Sequence, residues 1–336
     1  MIKDSAFVLE EGTGSGGGAM RICSVRLGAG VLMAGLVSVL ATLGAGGPGP
    51  MPTNVAQVTV TVRTSQPGAT PVVAVDEVRV YEDNKSRPVV SWVAAEAQSG
   101  PLDLTILVDD SIRDNVSLQF KSLADFFQTL PVGTRIRLAY ASNGGNRVVQ
   151  DFTSDYWLAV KALRLPVGST TAGGSIYESV ADLLKNWPRD GNRRGLFVIS
   201  DGIDINQGLE ESQPSRNAEL QRAIDLAQST NVPIYTIFAR GARSLEEDSS
   251  LLNNGQGCLS RLTSETGGQS YFEGTHTPLA FAPFLQQFAN DLRNQYVLTF
   301  QTLPAPKAGY HRLRVTTEIP RAHLFAPARV FIPHAE

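Results

Sequence analysis

Two short apolar runs that each end in an aspartate constrain this 336-residue chain more than anything else in it. The first reads Leu102-Asp-Leu-Thr-Ile-Leu-Val-Asp-Asp-Ser-Ile-Arg. Its centre, residues 104–108, is mostly β-branched and wholly without charge, as a strand buried on both faces of a parallel sheet should be. The second run, residues 195–200, ends in Asp201-Gly-Ile-Asp. In an open α/β sheet, side chains at the carboxyl end of a central strand face the crevice where ligands bind. The pattern therefore predicts one rim carrying Asp109, Asp110, Ser111, Asp201 and Asp204.

Around these runs strands alternate with helices. Residues 118–130, 156–165, 176–187, 217–229, 251–266 and 278–293 have apolar residues at helical spacing, and 135–141, 232–239 and 269–272 read as strands, with 148–152 a hairpin partner. Short connections between alternating elements predict a doubly wound, mainly parallel sheet, Rossmann-like, covered on both faces. The flanks differ. Residues 56–63 alternate strictly, 72–81 and 88–94 repeat the strand signal, and 295–302, 310–317 and 328–333 do so near the other end. The expected layout is an N-terminal β unit (56–100), an α/β domain (101–275), and a helix with a C-terminal β unit (276–336). The two flanks are expected to join as a small antiparallel unit, because neither is large enough to hold together alone.

The first 46 residues are read separately. Arg21 and Arg26 precede an uncharged apolar run from Leu27, with Leu43-Gly44-Ala45 near its end. That is the layout of a secretory signal peptide, and Met20 suits the true start because the preceding residues are glycine-rich and acidic. About 20 apolar residues also suffice for an uncleaved anchor. Either way the remainder is expected outside the cytoplasm: secreted, periplasmic or on the cell surface. Residues 47–55, rich in proline and glycine at their start, form a linker. Cys23 falls in the targeting segment and leaves Cys258 alone, so no disulfide framework is expected. A formal net charge of −3 argues against a nucleic-acid partner. Contact with a membrane is expected only through an uncleaved N-terminal segment.

Asp109-x-Ser111 after one buried strand and Asp201-Gly202 after another resemble the von Willebrand factor type A domain and its metal-ion-dependent adhesion site. Gly173-Gly-Ser-Ile-Tyr-Glu-Ser-Val, Leu196-Phe-Val-Ile-Ser-Asp-Gly and Leu259-Ser-Arg-Leu-Thr-Ser-Glu-Thr-Gly-Gly extend the resemblance in order and spacing. Val78-Arg-Val-Tyr-Glu-Asp-Asn-Lys and Arg293-Asn-Gln-Tyr-Val-Leu-Thr-Phe are similar to the flanks of an acidobacterial-type bacterial subgroup. The resemblance implies a non-enzymatic protein-binding domain. In that family an Asp-x-Ser-x-Ser loop, a threonine and a second aspartate hold one Mg²⁺, which a carboxylate of the partner completes.

The chain departs from this pattern at two of the five ligand positions. Arg113 stands where the second serine belongs, and Gly174 where the threonine belongs, with Ser175 beside it and Thr170 and Thr171 just upstream. The retained metal ligands are Asp109, Ser111 and Asp201, with Ser175 and Thr171 as weaker candidates. Either no metal binds or Mg²⁺ binds weakly. A guanidinium is permanently charged and offers a planar fork suited to carboxylates, so Arg113 is expected to bridge Asp109 and Asp201 in place of the ion. Arg113, Asp110, Ser175 and Asp204 are the candidate contacts to a partner protein. Asp110 also suits a helix cap or a solvated carboxylate, and Asp204 a turn. No phosphate loop, nucleophile elbow or paired-histidine zinc motif occurs, and the four histidines fall in the last quarter of the chain, so catalysis is not expected. Alternative readings are an envelope component with an inert site and a true Mg²⁺-dependent adhesion module.

Overall fold

The computed structural model describes residues 54–64, 70–98, 100–167, 174–241, 249–274, 276–303 and 307–334. Residues 1–46, where a signal peptide or anchor is expected, and Thr170 and Thr171 lie outside them. Among the described residues no helix is long and apolar enough to cross a membrane.

The chain enters as β1 (Val55–Thr64), β2 (Val78–Glu82), β3 (Lys85–Arg87) and β4 (Val89–Ala94), followed by one helical turn, α1 (Ala95–Gln98). The α/β region then runs β5 (Leu102–Asp109), α2 (Phe120–Phe127), β6 (Arg135–Ser142), β7 (Gly145–Thr153), α3 (Tyr156–Ala162), α4 (Ile176–Lys185), β8 (Arg193–Ser200), α5 (Ala218–Ser229), β9 (Ile234–Phe238), α6 (Ser249–Thr266), β10 (Ser270–Tyr271) and α7 (Ala282–Arg293). It closes with β11 (Gln295–Gln301), β12 (Gly309–Thr317), β13 (Ala322–Phe325) and β14 (Arg329–Ile332).

The central sheet has the order β10-β9-β8-β5-β6-β7, parallel throughout except for the antiparallel edge strand β7. Counted within the region, this is the doubly wound order 3-2-1-4-5-6, whose topological switch point lies between β5 and β8. Every residue of β5 is buried, which explains its lack of alternation. One face is covered by α2, α3 and α7 through Leu123, Phe126, Ala159, Leu285, Phe288 and Leu292. The other is covered by α4, α5 and α6 through Tyr177, Val180, Leu220, Ile224 and Leu262.

The flanking strands form two antiparallel sheets, β13-β1-β11-β4 and β14-β12-β2-β3, each built from both ends of the chain. They face each other over Val58, Val60, Val78, Val80, Leu298, Phe300, Leu313 and Val315. The outward residues of β1 pack on the α/β layer. Arg63 clamps Asp291 of α7 with two hydrogen bonds of 2.8 and 2.7 Å, and the Thr61 hydroxyl lies 3.2 Å from that of Tyr235 on β9.

Three local expectations change. The expected helix at 118–130 begins as a 3-10 segment, Asp114–Gln119, before α2. The expected strand at 72–81 forms only from Val78, because Val75–Glu77 is a 3-10 turn whose Ala74 amide is held by the Glu77 carboxylate (3.1 Å). The expected turn at 319–323 contains the start of β13.

Candidate functional site

Parallel pairing of β5 and β8 sets Val108 against Ile199, so Asp109 and Ser200 end neighbouring strands, with Asp201 one residue on. The two acids therefore do reach a common rim, at the switch point. Asp109 is buried and fully hydrogen-bonded. Its Oδ1 accepts from the Ser111 amide (2.9 Å) and hydroxyl (2.7 Å), and its Oδ2 accepts from the Ser200 hydroxyl (2.7 Å). Ser200 Oγ accepts in turn from the Gly202 amide (3.0 Å). Asp201 Oδ1 accepts from the Ile203 amide (2.9 Å), closing a tight turn. Ser200 was not legible as a site residue, although its place immediately before Asp201 at a strand end is a signal of the same kind.

Beside these groups lies a polar cavity of about 10 Å³, roughly the room one water needs. Asp109, Ser111, Ser142, Gly174, Ser175 and Ser179 line it. Ser175 is the N-cap of α4, its hydroxyl accepting from the Tyr177 amide (3.1 Å), and the Tyr177 hydroxyl donates to the Gly202 carbonyl (2.7 Å). The cap thus joins the α4 entrance to the turn that follows β8.

Arg113 does not bridge the acids. Its backbone amide donates to the Arg240 carbonyl (3.0 Å), Ile112 pairs as an isolated bridge with Gly241, and the Arg113 Nε donates to the Gly241 carbonyl (2.9 Å). The segment after β5 is therefore stitched to the segment after β9, and this backbone pairing turns the guanidinium toward β9.

Asp110 is neither a solvated carboxylate nor a helix cap. It is buried and takes both ends of the Arg164 guanidinium at 2.7 Å, plus the Val167 amide at 3.1 Å. The Arg164 guanidinium lies 3.8 Å over the Tyr140 ring, and its hydrogen bond to Asp110 holds its pKa above the usual arginine value. Burial raises the Tyr140 hydroxyl. This group pins the chain between α3 and α4 against the ends of β5 and β6. Asp204 is buried too, accepting from the Asn206 amide and the Asn217 side chain, both at 3.1 Å. With Ser175 almost wholly buried, three of the four candidate partner contacts face inward.

The threonine position cannot carry a side chain. Gly174 has φ +146°, and a Cβ there would stand 2.6 Å from Asn143 Cα and nearer still to the Gly144 amide. The tip of the β6–β7 hairpin, Asn143–Gly144, fills the space. Two of five ligand positions thus offer no ligand atom, and both oxygens of Asp109 are engaged by protein donors. Mg²⁺ demands near-octahedral oxygen coordination, and among the described residues Asp109, Ser111 and Asp201 are the family's ligand positions left to hold it, with water completing the shell. Among the described residues, the metal-ligating groups that do converge are Glu82, Asp83 and His311 at one end of the sandwich. There Glu82 is already neutralised by Arg87 at 2.6 Å.

The strand order, with its switch point between β5 and β8 and its single antiparallel edge strand, defines a Rossmann-like α/β domain carried on a β-sandwich. No family model matches the chain, and no curated protein does. Among solved structures it is similar to a von Willebrand factor type A protein from Catenulispora acidiphila, with 11% identity, 85% of this chain and 74% of that one covered, and a TM-score of 0.36. It is similar also to the ArnB paralog VWA2 from Sulfolobus acidocaldarius, with 10% identity, 84% and 76% covered, and a TM-score of 0.38. A third is the manganese-loaded TRAP protein of Plasmodium vivax, with 14% identity, 74% and 96% covered, and a TM-score of 0.37.

Proposed function

We propose that this chain is an exported, non-catalytic protein-recognition module that engages its partner at the carboxyl edge of the central sheet without a divalent ion. One observation carries the reading. Leu118, Leu165, Val167, Leu209 and Leu279 are each more than half exposed. They stand on four connections at that edge: after β5, between α3 and α4, after β8, and between β10 and α7. Scattered single apolar residues on a surface are ordinary, but a set gathered around one crevice marks an interaction surface. Asp109 at its centre is satisfied internally and shapes the rim, while the apolar residues around it supply the contact area. The apolar N-terminal run with its basic flank supports export, and the missing ligand atoms at positions 113 and 174 support independence of Mg²⁺.

A photoreactive residue placed at Leu279, and separately at Val132 in the connection between α2 and β6, tests the surface. Crosslinking of a partner from Leu279 and not from Val132, lost on Leu118→Asp, is the expected result. Crosslinking that ignores both changes ends the proposal. Calorimetric titration with Mg²⁺ and Mn²⁺ is expected to show no binding. Micromolar binding abolished by Asp109→Ala would restore the metal-dependent adhesion reading, and a hydrolytic activity lost in Ser111→Ala would make the protein an enzyme.

A further inference from the structure

The second sheet of the sandwich turns one face inward, through Leu313, Val315, Val80 and Val330, and the other outward. Strand alternation puts Arg79 and Tyr81 of β2, Tyr310, Arg312 and Arg314 of β12, and Arg329 of β14 on the outward face. The outward positions of these three strands carry no acid, in a chain whose net charge is −3. Arg329 is neutralised by Asp225 of α5 at 2.8 Å. Arg79, Arg312 and Arg314 form no ion pair among the described residues, and all three are exposed. Register sets Arg312 directly across from Arg329 and Arg314 across from Tyr81, with Thr316 across from Arg79. Like charges directly opposite each other weaken a sheet, so nothing in the packing of the sandwich calls for this arrangement.

The guanidiniums of Arg79, Arg314 and Arg329 are also held in place. Arg314 lies 4.1 Å over the Tyr81 ring and Arg329 5.1 Å over Tyr310, while Arg79 donates to the carbonyls of Asp76 and Val78. A fork fixed by stacking loses little freedom when it takes a carboxylate. We propose that the outward face of β2 and β12 is a docking ledge for an extended acidic peptide segment of a partner, gripped by Arg79, Arg312 and Arg314. Three points select that occupant. Successive outward residues of a strand stand about 6.8 Å apart, two rises of about 3.4 Å, and an extended peptide with a carboxylate at every second residue repeats at the same interval. The tyrosine rings are covered by guanidiniums, which removes the stacking platforms that single-stranded nucleic acid uses. Helix α5 stands at the β14 edge, where the Tyr310 hydroxyl donates to the Asp225 carbonyl (2.8 Å), so the ledge has a wall on one side and suits a chain rather than a bilayer plane.

The test is fluorescence anisotropy of the full chain with a labelled decapeptide alternating glutamate and serine. Salt-sensitive binding is expected, weakened at least ten-fold by Arg312→Gln with Arg314→Gln and absent for the peptide alternating glutamine and serine. Both substitutions are on exposed side chains, and an unchanged circular dichroism melt shows that the fold persists. Leu118→Asp, on an exposed side chain of the apolar rim, should leave this binding unchanged, which separates the ledge from that rim. The proposal is overturned if the double variant binds equally well, if the glutamine peptide competes, or if oligo-dT or alginate binds more tightly than the acidic peptide.

Discussion

Restoring the missing threonine, Gly174→Thr, is the most direct challenge to the description of the crevice. The backbone at this position has φ +146°, a conformation that β-branched residues avoid, and holding one there costs about 1–3 kcal/mol. The new Cβ would meet main chain, Asn143 Cα at 2.6 Å and the Gly144 amide closer, rather than a side chain that can swing aside. Displacing a packed turn adds about 1–3 kcal/mol of overpacking, and the lost freedom of glycine in the unfolded chain returns less than about 1 kcal/mol. The net is about 1–5 kcal/mol, a large share of the 5–15 kcal/mol, roughly, that holds a domain together. Urea unfolding followed through Trp187, which is buried against Phe152 with ring centroids 5.7 Å apart, measures the loss. Hydrogen exchange should locate the disturbance in the 142–145 turn. A variant within about 0.5 kcal/mol of the parent would show that the hairpin tip does not occupy the ligand position, since surface changes alone fall in that range. Micromolar Mg²⁺ binding by Gly174→Thr combined with Arg113→Ser would refute the argument outright.

Three further outcomes follow from other buried groups. Arg164→Met removes the guanidinium from Asp110, leaves a buried carboxylate with one amide donor, and should cost about 2–4 kcal/mol in denaturant unfolding; Asp110→Asn with Arg164→Met should cost less than the sum of the two single changes. Tyr235→Phe strips the hydroxyl that meets Thr61 at 3.2 Å and Gln295 at 3.0 Å, and should lower stability by about 1–3 kcal/mol in the same assay. Burial pushes the Cys258 thiol up to about 12. The folded state thus binds this proton more tightly than the unfolded chain, so the contribution to stability is complete below about pH 9 and fades as pH rises toward 12. Ellman's reagent at pH 8 should leave Cys258 unmodified in the native protein and react with it after unfolding.

The strands that organise the fold were legible because burial on both faces leaves a continuous apolar run, and β5 and β8 each have one. The meeting of Asp109 and Asp201 was equally legible, since parallel neighbours in an α/β sheet end at one edge. What could not be read is where side chains turn once there. Arg113 is steered by main-chain pairing with Gly241, and Asp110 by Arg164; no local pattern announces either partner. The departure at Gly174 was visible as a missing threonine, but its cause is a hairpin tip that arrives from elsewhere in the sequence. Strand β13 was hidden by Pro320 and Arg321, which read as a turn, while its pairing with β1 supplies the order that local propensity lacks.

The central α/β region leaves the sandwich after Ala94 and rejoins it at Tyr296, two residues that face each other on adjacent strands. During synthesis β1 to β4 therefore emerge early and must wait for β11 to β14, while the intervening region has every partner it needs for its own sheet. The waiting strands carry unsatisfied edges, the surface that drives misassociation of partly made chains. A ribosome-bound chain halted before Gln295 should accordingly show a protease-resistant centre and a cleavable leading segment. The two crossings lie side by side, so the chain enters and leaves the central region at one place on the sandwich.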